Sequence, residues 1–580
     1  MGIVVHFVDN NFKLRRETLS FELLPNAHTA DNLTDNVWAV LKSYNILDKI
    51  YAITGDSASN NMRMAKNLES NWNRKYFTAP QRRWNAGMQF INCTAHVIHN
   101  SVIQFLLRMS ACPADDYRQF DRTEEEGTRL AGGQQRRHPK IQSLEGFAKT
   151  LEKLRMVAIA SSNSTVRKEQ FQEHVKRQLG KALLLKVDVQ TRWHSTAAML
   201  QRALLLKDPI SAWIVSRNEL DELTMDGREW AEAELIYSIL RPFCTCAQQL
   251  VTTATINIHL TYGIYNYLFE HLEAFKERLE DEFSVQSCYK EQLLVGLDAA
   301  WNLLNKYYRL SDPKCTYSAA ILLNPSIKGK YFTGEEWKLP ADNVLWQKKY
   351  EQQLVDTFKT FYHNRDKYDN TQPASSTNNS MSHLSTPVRL GHANEIPTTG
   401  RKSNGTKLFF AVAPDVEQDS LDCQPEKEVL DYLKEPRIAP QSRETVHILK
   451  YWKSKEAVWP DLCLLARDVL AVPATGADVE RLFSQGRNVV TYHCHNLHSQ
   501  TILVTMVMRG AYNRKRKERK DEEPDAEHWY DVQKILQEDN PHTFPDLFLP
   551  ENIAHLRVVL DRIEKDPELI PLSQDEEQEV

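Results

Sequence analysis

The chain has 580 residues and a formal net charge of −5 at pH 7. A chain of this length can bury a large core and is expected to fold as more than one domain. Nine cysteines, an odd number, argue against a disulfide framework and favour a reducing compartment. No apolar run approaches the roughly 18 residues of a membrane span, so we expect no membrane partner. Because the net charge of the whole chain is slightly negative, any contact with nucleic acid must be made by a local part of its surface.

The first segment of the chain predicts a hairpin followed by a helix. Residues 1–8, MGIVVHFV, and the later run ETLSFELL predict two strands, and Asp9 falls in the connection between them. Apolar residues then recur on one face from Asp31 to Tyr44, which predicts an amphipathic helix.

A carboxylate follows the next predicted strand. Ile50 to Ile53 is a continuous apolar run bounded by turn formers, as is typical of a strand that is covered on both faces, and Asp56 lies just beyond its end. In open α/β sheets, ligands bind outside the carboxyl ends of strands, so Asp56 is placed for metal or substrate chemistry. The alternative is an Asx turn, in which the carboxylate only accepts local hydrogen bonds.

A further strand and helix are expected between Met88 and Met109, which extends the α/β alternation. Cys93, His96 and His99 have C-x2-H-x2-H spacing there, but a structural zinc ion needs a fourth ligand and none is evident nearby. His493, Cys494, His495 and His498 invite the same interpretation. We base no structural zinc prediction on either cluster.

Composition divides the rest of the chain. A charged, glycine-containing stretch indicates a flexible connection, helical patterns follow it, and a Ser-, Thr-, Asn- and Pro-rich stretch indicates a disordered linker before helical periodicity returns. We therefore predict six segments: 1–110, the first part of an α/β core; 111–141, the connection; 142–370, a helical domain; 371–424, the linker; 425–512, a C-terminal region that completes the core; and 513–580, a basic segment and charged tail.

Trp193 lies in the motif TRWHS, within the predicted helical domain. A single tryptophan is most often a packed core residue. Its neighbours Arg192 and His194 favour a different environment, since cations neutralise phosphates and aromatic rings stack on extruded bases.

Near the C-terminus, a second carboxylate borders an apolar helix face. Thr475 and Asp478 fit the start of a helix in which Val479, Leu482, Phe483 and Gly486 form one stripe, and Glu480 lies beside that stripe. Taken alone, such a glutamate is more often a partner of the helix dipole than a catalyst. A separate amphipathic helix is expected between Trp459 and Pro473.

Four motifs, in order, carry a family resemblance. They are TGDSASNN (54–61), INCTAHVIHN (91–100), VDVQTRWHS (187–195) and the WP…ERLFS run (459–484). Together they resemble the hAT (hobo/Activator/Tam3) superfamily of DNA transposases. The resemblance implies an α/β fold: an RNase H-like core, its first strand missing here, interrupted by a large all-α insertion domain and followed by the hAT C-terminal dimerisation region.

The resemblance also implies roles for individual residues. Asp56 matches the second catalytic carboxylate of the family and Glu480 the third, and both would hold Mg²⁺ or Mn²⁺. Trp193 matches the aromatic residue that stacks on a flipped base, and Cys93 and His96 match a CxxH pair near the site. Together with Arg192 and His194, these residues are expected to contact DNA at transposon ends, and the C-terminal region is expected to form a homodimer or higher homo-oligomer.

The match is incomplete, because the family's first catalytic aspartate lies on a strand that would precede the opening hairpin. The resemblance therefore implies a truncated, DDE-type transposase-like protein that has lost metal-dependent strand cleavage and transfer but keeps DNA binding and dimerisation. The alternatives are a domesticated nuclear DNA-binding or protein-interaction module, and an active transposase with a misassigned start. A basic run suits nuclear import or phosphate contact and predicts a nuclear location. Its residues are Arg514, Lys515, Arg516, Lys517, Arg519 and Lys520.

Overall fold

The computed structural model describes twelve stretches of the chain and two single residues. These are residues 1–22, 24, 28–77, 84–109, 144–162, 164–186, 193–251, 256–281, 287–334, 337, 345–362, 426–438, 447–489 and 504–508. Residues 371–424 and 513–580, predicted to be a linker and a basic tail, lie outside this set, as do 111–141. Among the described residues, no helix is both long and apolar enough to cross a membrane.

The chain begins with an antiparallel hairpin, as its sequence predicts. Strand β1 (Gly2–Val8) pairs with β2 (Leu14–Phe21), from Gly2 opposite Phe21 to Val8 opposite Leu14, with an irregularity between Ile3 and Val4. Asp9 lies in the connection, where its carboxylate accepts hydrogen bonds from the amides of Asn11 and Lys13. Asp9 therefore stabilises the turn.

Helices and short strands alternate after the hairpin. Helix α1 (Ala30–Ser43) begins after the N-cap Thr29, whose hydroxyl accepts a hydrogen bond from the Asn32 amide, as helix starts favour. Strand β3 (Ile53–Gly55) leads to α2 (Ser59–Lys75), and the single turn α3 (Ala86–Gln89) leads to β4 (Phe90–Asn92) and α4 (Thr94–Arg108). The alternation expected between residues 1 and 110 is present.

Strand β3 differs from the predicted strand over Ile50–Ile53. It begins only at Ile53, because its parallel partner β4 begins at Phe90 and is preceded by the helical turn α3. The carbonyl of Tyr51 instead accepts a hydrogen bond from the side chain of Gln89, 2.6 Å away. A neighbouring element therefore shortens the strand that the local apolar run predicts.

The described residues between 144 and 362 are predominantly helical, as expected. Two of these helices lie close together, and their side chains Phe171 and Trp213 meet edge to face with ring centroids 5.3 Å apart. The helices are α5 (Gly146–Ser162), α6 (Thr165–Leu179), α7 (Trp193–Leu205), α8 (Lys207–Val215), α9 (Gly227–Val251), α10 (Thr261–Asp281), α11 (Ser287–Ser311), α12 (Cys315–Leu322) and α13 (Trp346–Phe361).

Four more helices follow in the C-terminal region. They are α14 (Lys427–Lys434), α15 (Ile448–Lys455), α16 (Pro460–Ala471) and α17 (Ala477–Val489), and residues 504–508 are also helical. Pro460 opens α16, where its missing amide hydrogen costs no hydrogen bond. Helices α16 and α17 both pack against β1, so the two ends of the sequence meet.

Two apolar clusters hold these elements together. The larger joins α4, the helices of the middle region and α14 to α16, while the smaller lies under β1, β2, α1 and α2. At the centre of the smaller cluster, the fully buried Trp72 donates its indole hydrogen to the carbonyl of Leu47, 2.7 Å away. The described chain is thus mostly helical with two small two-stranded sheets, β1–β2 and β3–β4.

Candidate active site

Two parallel strands end side by side at the candidate site. In the β3–β4 pair, Gly55 lies opposite Asn92, so Asp56 and Cys93 follow directly at the same edge. The amide of Cys93 donates to the carbonyl of Gly55 at 2.8 Å, which extends the pairing by one step. This arrangement is the carboxyl-end position that favours ligand binding.

The Asp56 carboxylate makes an Asx turn through one of its two oxygens. Its Oδ1 accepts hydrogen bonds from the Ala58 amide at 2.9 Å and from the side-chain amide of Asn61 at 2.7 Å, and the residue is exposed. The turn alternative is therefore correct as a description of Oδ1. No described residue donates a hydrogen bond to Oδ2, so this oxygen is available to a ligand.

A short C-terminal segment is anchored to the ends of these strands. The Thr54 hydroxyl donates to the carbonyl of Pro473 at 2.8 Å, and the Thr94 amide donates to the carbonyl of Ala474 at 2.8 Å. The amide of Gly476 donates to the sulfur of Cys93 at 3.2 Å. Because these bonds immediately precede α17, they place the first turn of that helix beside β3 and β4.

The first turn of α17 carries Glu480. Its side chain is exposed and makes no hydrogen bond or ion pair with any described residue, while its amide donates to the Gly476 carbonyl at 3.2 Å. The positive end of the helix dipole favours a carboxylate there. Phe483, expected in the buried stripe of α17, is 47% exposed instead, so that part of the prediction is wrong. The Phe483 ring instead packs against the ring of Phe21, with the ring centroids 5.3 Å apart.

One cavity of about 950 Å³ gathers these residues. Asp56, Cys93, His96 and Glu480 all line it, although they come from opposite ends of the sequence. Burial raises the pKa of the Cys93 thiol, and the charge of Glu480 acts in the same direction, while hydrogen bonds from the Gly476 and His96 amides partly oppose them. Cys93 is therefore a neutral thiol near pH 7, which suits a structural hydrogen-bond acceptor better than a nucleophile.

The histidines of the C-x2-H-x2-H motif stack on each other. The ring centroids of His96 and His99 lie 5.7 Å apart, with 26° between the planes. Within the described ranges, no group of three or more His, Cys, Asp and Glu residues is arranged to hold a metal ion. Any metal bound by Asp56 and Glu480 would therefore need further ligands from water, from substrate or from residues outside these ranges.

Family models match three successive parts of the chain. Residues 1–79 match the ZBED1 RNase-like domain, residues 91–239 the ZBED1 RNase-like helical domain, and residues 428–512 the hAT family C-terminal dimerisation region. Similarity extends to the AC transposase of Zea mays, which is 21% identical over 87% of this chain. The chain belongs to the hAT superfamily.

Other curated relatives of this hAT chain are similarly distant. The transcriptional regulator tpeD of Talaromyces stipitatus is 27% identical over 87% of the chain, and the zinc finger BED domain-containing protein RICESLEEPER 2 of Oryza sativa is 23% identical over 82%. The alignments cover 51%, 53% and 57% of tpeD, the AC transposase and RICESLEEPER 2 respectively, so the hAT chain spans about half the length of the curated relatives it matches.

An ion-pair cluster that sequence reasoning missed fixes α17 of the hAT chain to the hairpin. The Asp478 carboxylate lies 3.2 Å from Nε2 of His6 and 3.0 Å from the guanidinium of Arg16. Burial raises the pKa of Asp478, but the hydrogen bond from His6 and the charge of Arg16 outweigh it, so the net pKa lies below the usual range. The sequence offers only a first-turn aspartate as a signal, because both partners are far away in the chain.

Several predicted contact residues lie outside what is described. Arg192 and the run from Arg514 to Lys520 are not among the described residues, nor are the histidines and cysteine at 493–498. Trp193 and His194 open α7, a helix that packs against α4, but their side chains are not described. The described residues therefore bring together Asp56, Glu480, Cys93 and His96 and leave the stacking role of Trp193 a prediction.

Proposed function

We propose that this chain is a transposase-derived protein that binds DNA as a dimer, and that its cavity is the remnant of a metal-dependent strand-cleaving site. The fold behind this proposal is an RNase H-like core interrupted by an all-α insertion. The three family matches support it, since two of them are RNase-like domains and the third is a dimerisation region.

The observation that carries the proposal is the meeting of Asp56 and Glu480 at one cavity. Neither carboxylate neutralises a described cation, so the protein keeps two negative charges at the mouth of an apolar space. Asp56 accepts hydrogen bonds within its turn and Glu480 lies at the positive end of the α17 dipole, but neither local role accounts for two unneutralised carboxylates at one cavity. A role toward a ligand accounts for it.

The donor set fits a hard divalent cation. Carboxylate oxygens are the ligands that Mg²⁺ and Mn²⁺ prefer, and both Oδ2 of Asp56 and the Glu480 carboxylate lack hydrogen bonds from described residues. When bound, such ions activate a water or hydroxyl and stabilise the leaving oxygen of a phosphodiester. Asn61 holds Asp56 through Oδ1 and so keeps its other oxygen oriented.

Two carboxylates are too few for that chemistry, and the other acids of the cavity, Glu17, Asp468 and Asp478, have partners within the fold. Asp478 pairs with His6 and Arg16, and Asp468 accepts a hydrogen bond from the Tyr362 hydroxyl at 2.8 Å. A two-metal site needs several carboxylates to hold both ions. We therefore propose that the 580-residue chain binds a divalent cation weakly and does not cut DNA.

A paired assay tests this. We expect Mn²⁺ titration of the full chain to show weak binding that Glu480→Gln and Asp56→Asn each reduce about tenfold or more, and that the exposed control Asp208→Asn leaves unchanged. Linear DNA that carries candidate ends, incubated with Mg²⁺ or Mn²⁺, should stay intact. Specific nicking that Asp56→Asn abolishes would show that the site is active, and equal Mn²⁺ binding by all variants would remove the metal role.

For DNA contact, we propose Trp193 with Arg192 and His194, together with Cys93 and His96 of the cavity, and the basic run 514–520 on the phosphate backbone. His96 lines the cavity directly, and Cys93 holds the loop that leads to Glu480. Phosphate contacts make affinity depend on salt, so anisotropy titrations at two salt concentrations measure their share. Affinity that does not change with salt would count against the proposal. Because the proposed ligand is DNA, we also propose a nuclear location.

For the protein partner, we propose a second copy of this chain, bound through the region matched at 428–512. In this region Val504 and Met508 expose 54% and 51% of their surfaces, and Val458 exposes 60%. Large exposed apolar side chains within one region favour association. The sample mass by light scattering tests it.

A regulatory module is the second candidate function. It is favoured by the incomplete carboxylate set and by the similarity to a relative named as a transcriptional regulator. Such a protein would bind DNA and change expression without cutting it. Chromatin binding in cells that is insensitive to Asp56→Asn supports this candidate, whereas excision of a marked element that needs Asp56 supports the enzyme.

A further inference from the structure

The loop of residues 473–476 immediately precedes α17 and is bonded to the ends of β3 and β4. The Thr54 hydroxyl and the Cys93 sulfur each make a hydrogen bond with one end of the loop. Between them, the carbonyl of Ala474 accepts a hydrogen bond from the first amide of α4, at 2.8 Å. These three bonds attach the loop to the part of the chain that carries Asp56.

A fourth bond attaches the same loop to the helical middle. Asn257 is buried in the connection between α9 and α10, where its Oδ1 accepts a hydrogen bond from the Ala474 amide at 2.9 Å. Its Nδ2 donates to the carbonyl of Leu250, one residue before the end of α9, at 2.8 Å. The last carbonyls of a helix have no partner within it, so Asn257 also caps α9. Among the described residues, no other side chain of the helical middle bonds to 473–476.

Packing alone leaves the later part of this loop room to move. Apart from its chain neighbours, no atom lies within 4 Å of a Cβ atom added to Gly476. A cavity of about 20 Å³, enough for about one water molecule, adjoins the loop and is lined in part by Leu250, Asn257, Pro473 and Thr475. Where atoms do not fill the space, the hydrogen bonds define the position of the backbone.

The first turn of α17 follows directly from the loop. The carbonyl of Gly476 accepts a hydrogen bond from the Glu480 amide at 3.2 Å, which begins the helix. Only one residue separates Gly476 from Ala474, so a displacement of the Ala474 peptide group also moves this turn. Glu480 lines the same cavity as Asp56 because the turn is held beside β3 and β4.

We propose that Asn257 is a positioning residue of the carboxylate site. By holding the Ala474 amide, it fixes the start of α17 so that Glu480 and Asp56 face one divalent cation. Asn257 does not line their cavity and therefore acts through the loop. The shared cation is part of the proposed function, on which this role rests. Helix α9 also packs against α7, which begins at Trp193, so Asn257 joins the helix of the proposed DNA contacts to the carboxylate site.

Three substitutions separate this role from a contribution to stability alone. Asn257→Ala removes both of its hydrogen bonds. Asn257→Asp keeps an oxygen that accepts the Ala474 amide in either protonation state. Ser101→Ala is the matched control, because the buried Ser101 hydroxyl donates to the Ala300 carbonyl at 2.9 Å and joins α4 to α11 without involving the loop.

Mn²⁺ titration of the full chain is the first measurement. We expect Asn257→Ala to weaken Mn²⁺ binding about fivefold or more, and Asn257→Asp and Ser101→Ala to stay within about twofold of the unaltered chain. Unchanged affinity in Asn257→Ala would overturn the positioning role, as would an equal loss in Ser101→Ala or in Asn257→Asp.

A longer side chain serves if Asn257→Ala does not fold. Asn257→Gln carries the same polar groups on one more methylene group, so it should displace the loop and weaken Mn²⁺ binding in the same direction. Unchanged affinity in a folded Asn257→Gln chain would then overturn the positioning role.

Hydrogen exchange without metal distinguishes failure of this role from failure of the proposed function. In Asn257→Ala we expect the amides of residues 474–480 to exchange about tenfold or more faster than in the unaltered chain, while those of α5 keep their protection. If the unaltered chain, Asp56→Asn and Glu480→Gln all bind Mn²⁺ equally, the proposed function fails and exchange alone decides whether Asn257 positions α17. Equal exchange of residues 474–480 in the unaltered and Asn257→Ala chains would overturn the positioning role, whatever the metal result.

Discussion

The helical middle of the chain and the region of the two sheets bury their side chains to very different extents. In the middle, Trp213 and Phe171 are fully buried, and even the ammonium of Lys153 has a partner, Glu229, at 2.6 Å. The sheets instead flank a cavity of about 950 Å³, and within the described ranges each of their strands has a strand partner on one side only. Helices satisfy their backbone groups internally, whereas a strand needs neighbours. The candidate site thus lies in the part of the molecule where fewer backbone groups have partners.

Two identical substitutions, one at a packed core position of the helical middle and one at a proposed DNA contact, should have the largest difference in effect. Trp213→Ala removes a fully buried ring that meets Phe171 edge to face, and should lower the free energy of unfolding by about 3 to 5 kcal/mol. Trp193→Ala should leave stability nearly unchanged but weaken binding to hairpin or flipped-base DNA by about 1 to 3 kcal/mol.

Thermal melts and DNA titrations of both variants decide between these roles. A Trp193→Ala protein that melts as early as Trp213→Ala, with unchanged DNA affinity once folded, would show that Trp193 is a core residue. The contrast between the two tryptophans would then disappear.

Asn257 joins the two regions, and its loss should have the next largest effect. Its buried side chain donates to the Leu250 carbonyl at 2.8 Å and accepts from the Ala474 amide at 2.9 Å. Asn257→Ala leaves both backbone groups unpaired, so we expect a loss of about 2 to 4 kcal/mol in the free energy of unfolding. Urea denaturation measures it, with the exposed Asn218→Ala as control. Similar losses in both variants would contradict this role.

The sequence predicts local elements of the fold better than it predicts contacts between distant segments. The helix expected from Asp31 to Tyr44, the hairpin around Asp9 and the helix that carries Glu480 follow from patterns within a few residues, and the structure has all three. The meeting of Asp56 with Glu480 was expected only through the family resemblance. Local periodicity holds no information on which distant segments touch.

The contacts that build the site show why. The bond from Thr54 to the Pro473 carbonyl joins opposite ends of the sequence, as does the bond from Gly476 to Cys93. The late start of β3 likewise depends on the position of its partner β4. The cavity beside the sheets is lined by residues from both ends of the sequence, so no single segment predicts it.

A pH dependence should mark the junction between the hairpin and α17. The pKa of Asp478 is lowered in the folded chain, since its bonds to His6 and Arg16 outweigh the effect of burial. A carboxylate with a lowered pKa adds stability at pH values above its unfolded pKa, and this stability is lost as the pH falls through the folded value. Acid should therefore weaken the contact between the hairpin and α17.

The variant Asp478→Asn isolates this contribution. We expect it to lower the free energy of unfolding by about 1 to 3 kcal/mol at pH 7 and to flatten the loss between about pH 5 and pH 3. Denaturation at a series of pH values measures both effects. An unchanged slope in Asp478→Asn would mean that other carboxylates control the acid sensitivity.

The smallest expected effect concerns self-association. We expect it to depend on exposed apolar side chains in the C-terminal region. Val504 is 54% exposed and lies in the region that matches the family dimerisation region. Val215 in the helical middle is even more exposed, at 73%, but lies outside that region. If exposure alone drove association, Val215→Asp would weaken it at least as much as Val504→Asp.

An isologous interface predicts the reverse, because the same patch occurs on both copies and one substitution adds two charges to it. We expect Val504→Asp to raise the dimer dissociation constant about tenfold or more, which corresponds to about 1.4 kcal/mol, and Val215→Asp to leave it unchanged. Light scattering across a range of concentrations gives both constants. A folded chain that stays monomeric at tens of micromolar would remove the dimer altogether, and equal effects of the two variants would move the interface away from residues 504–508.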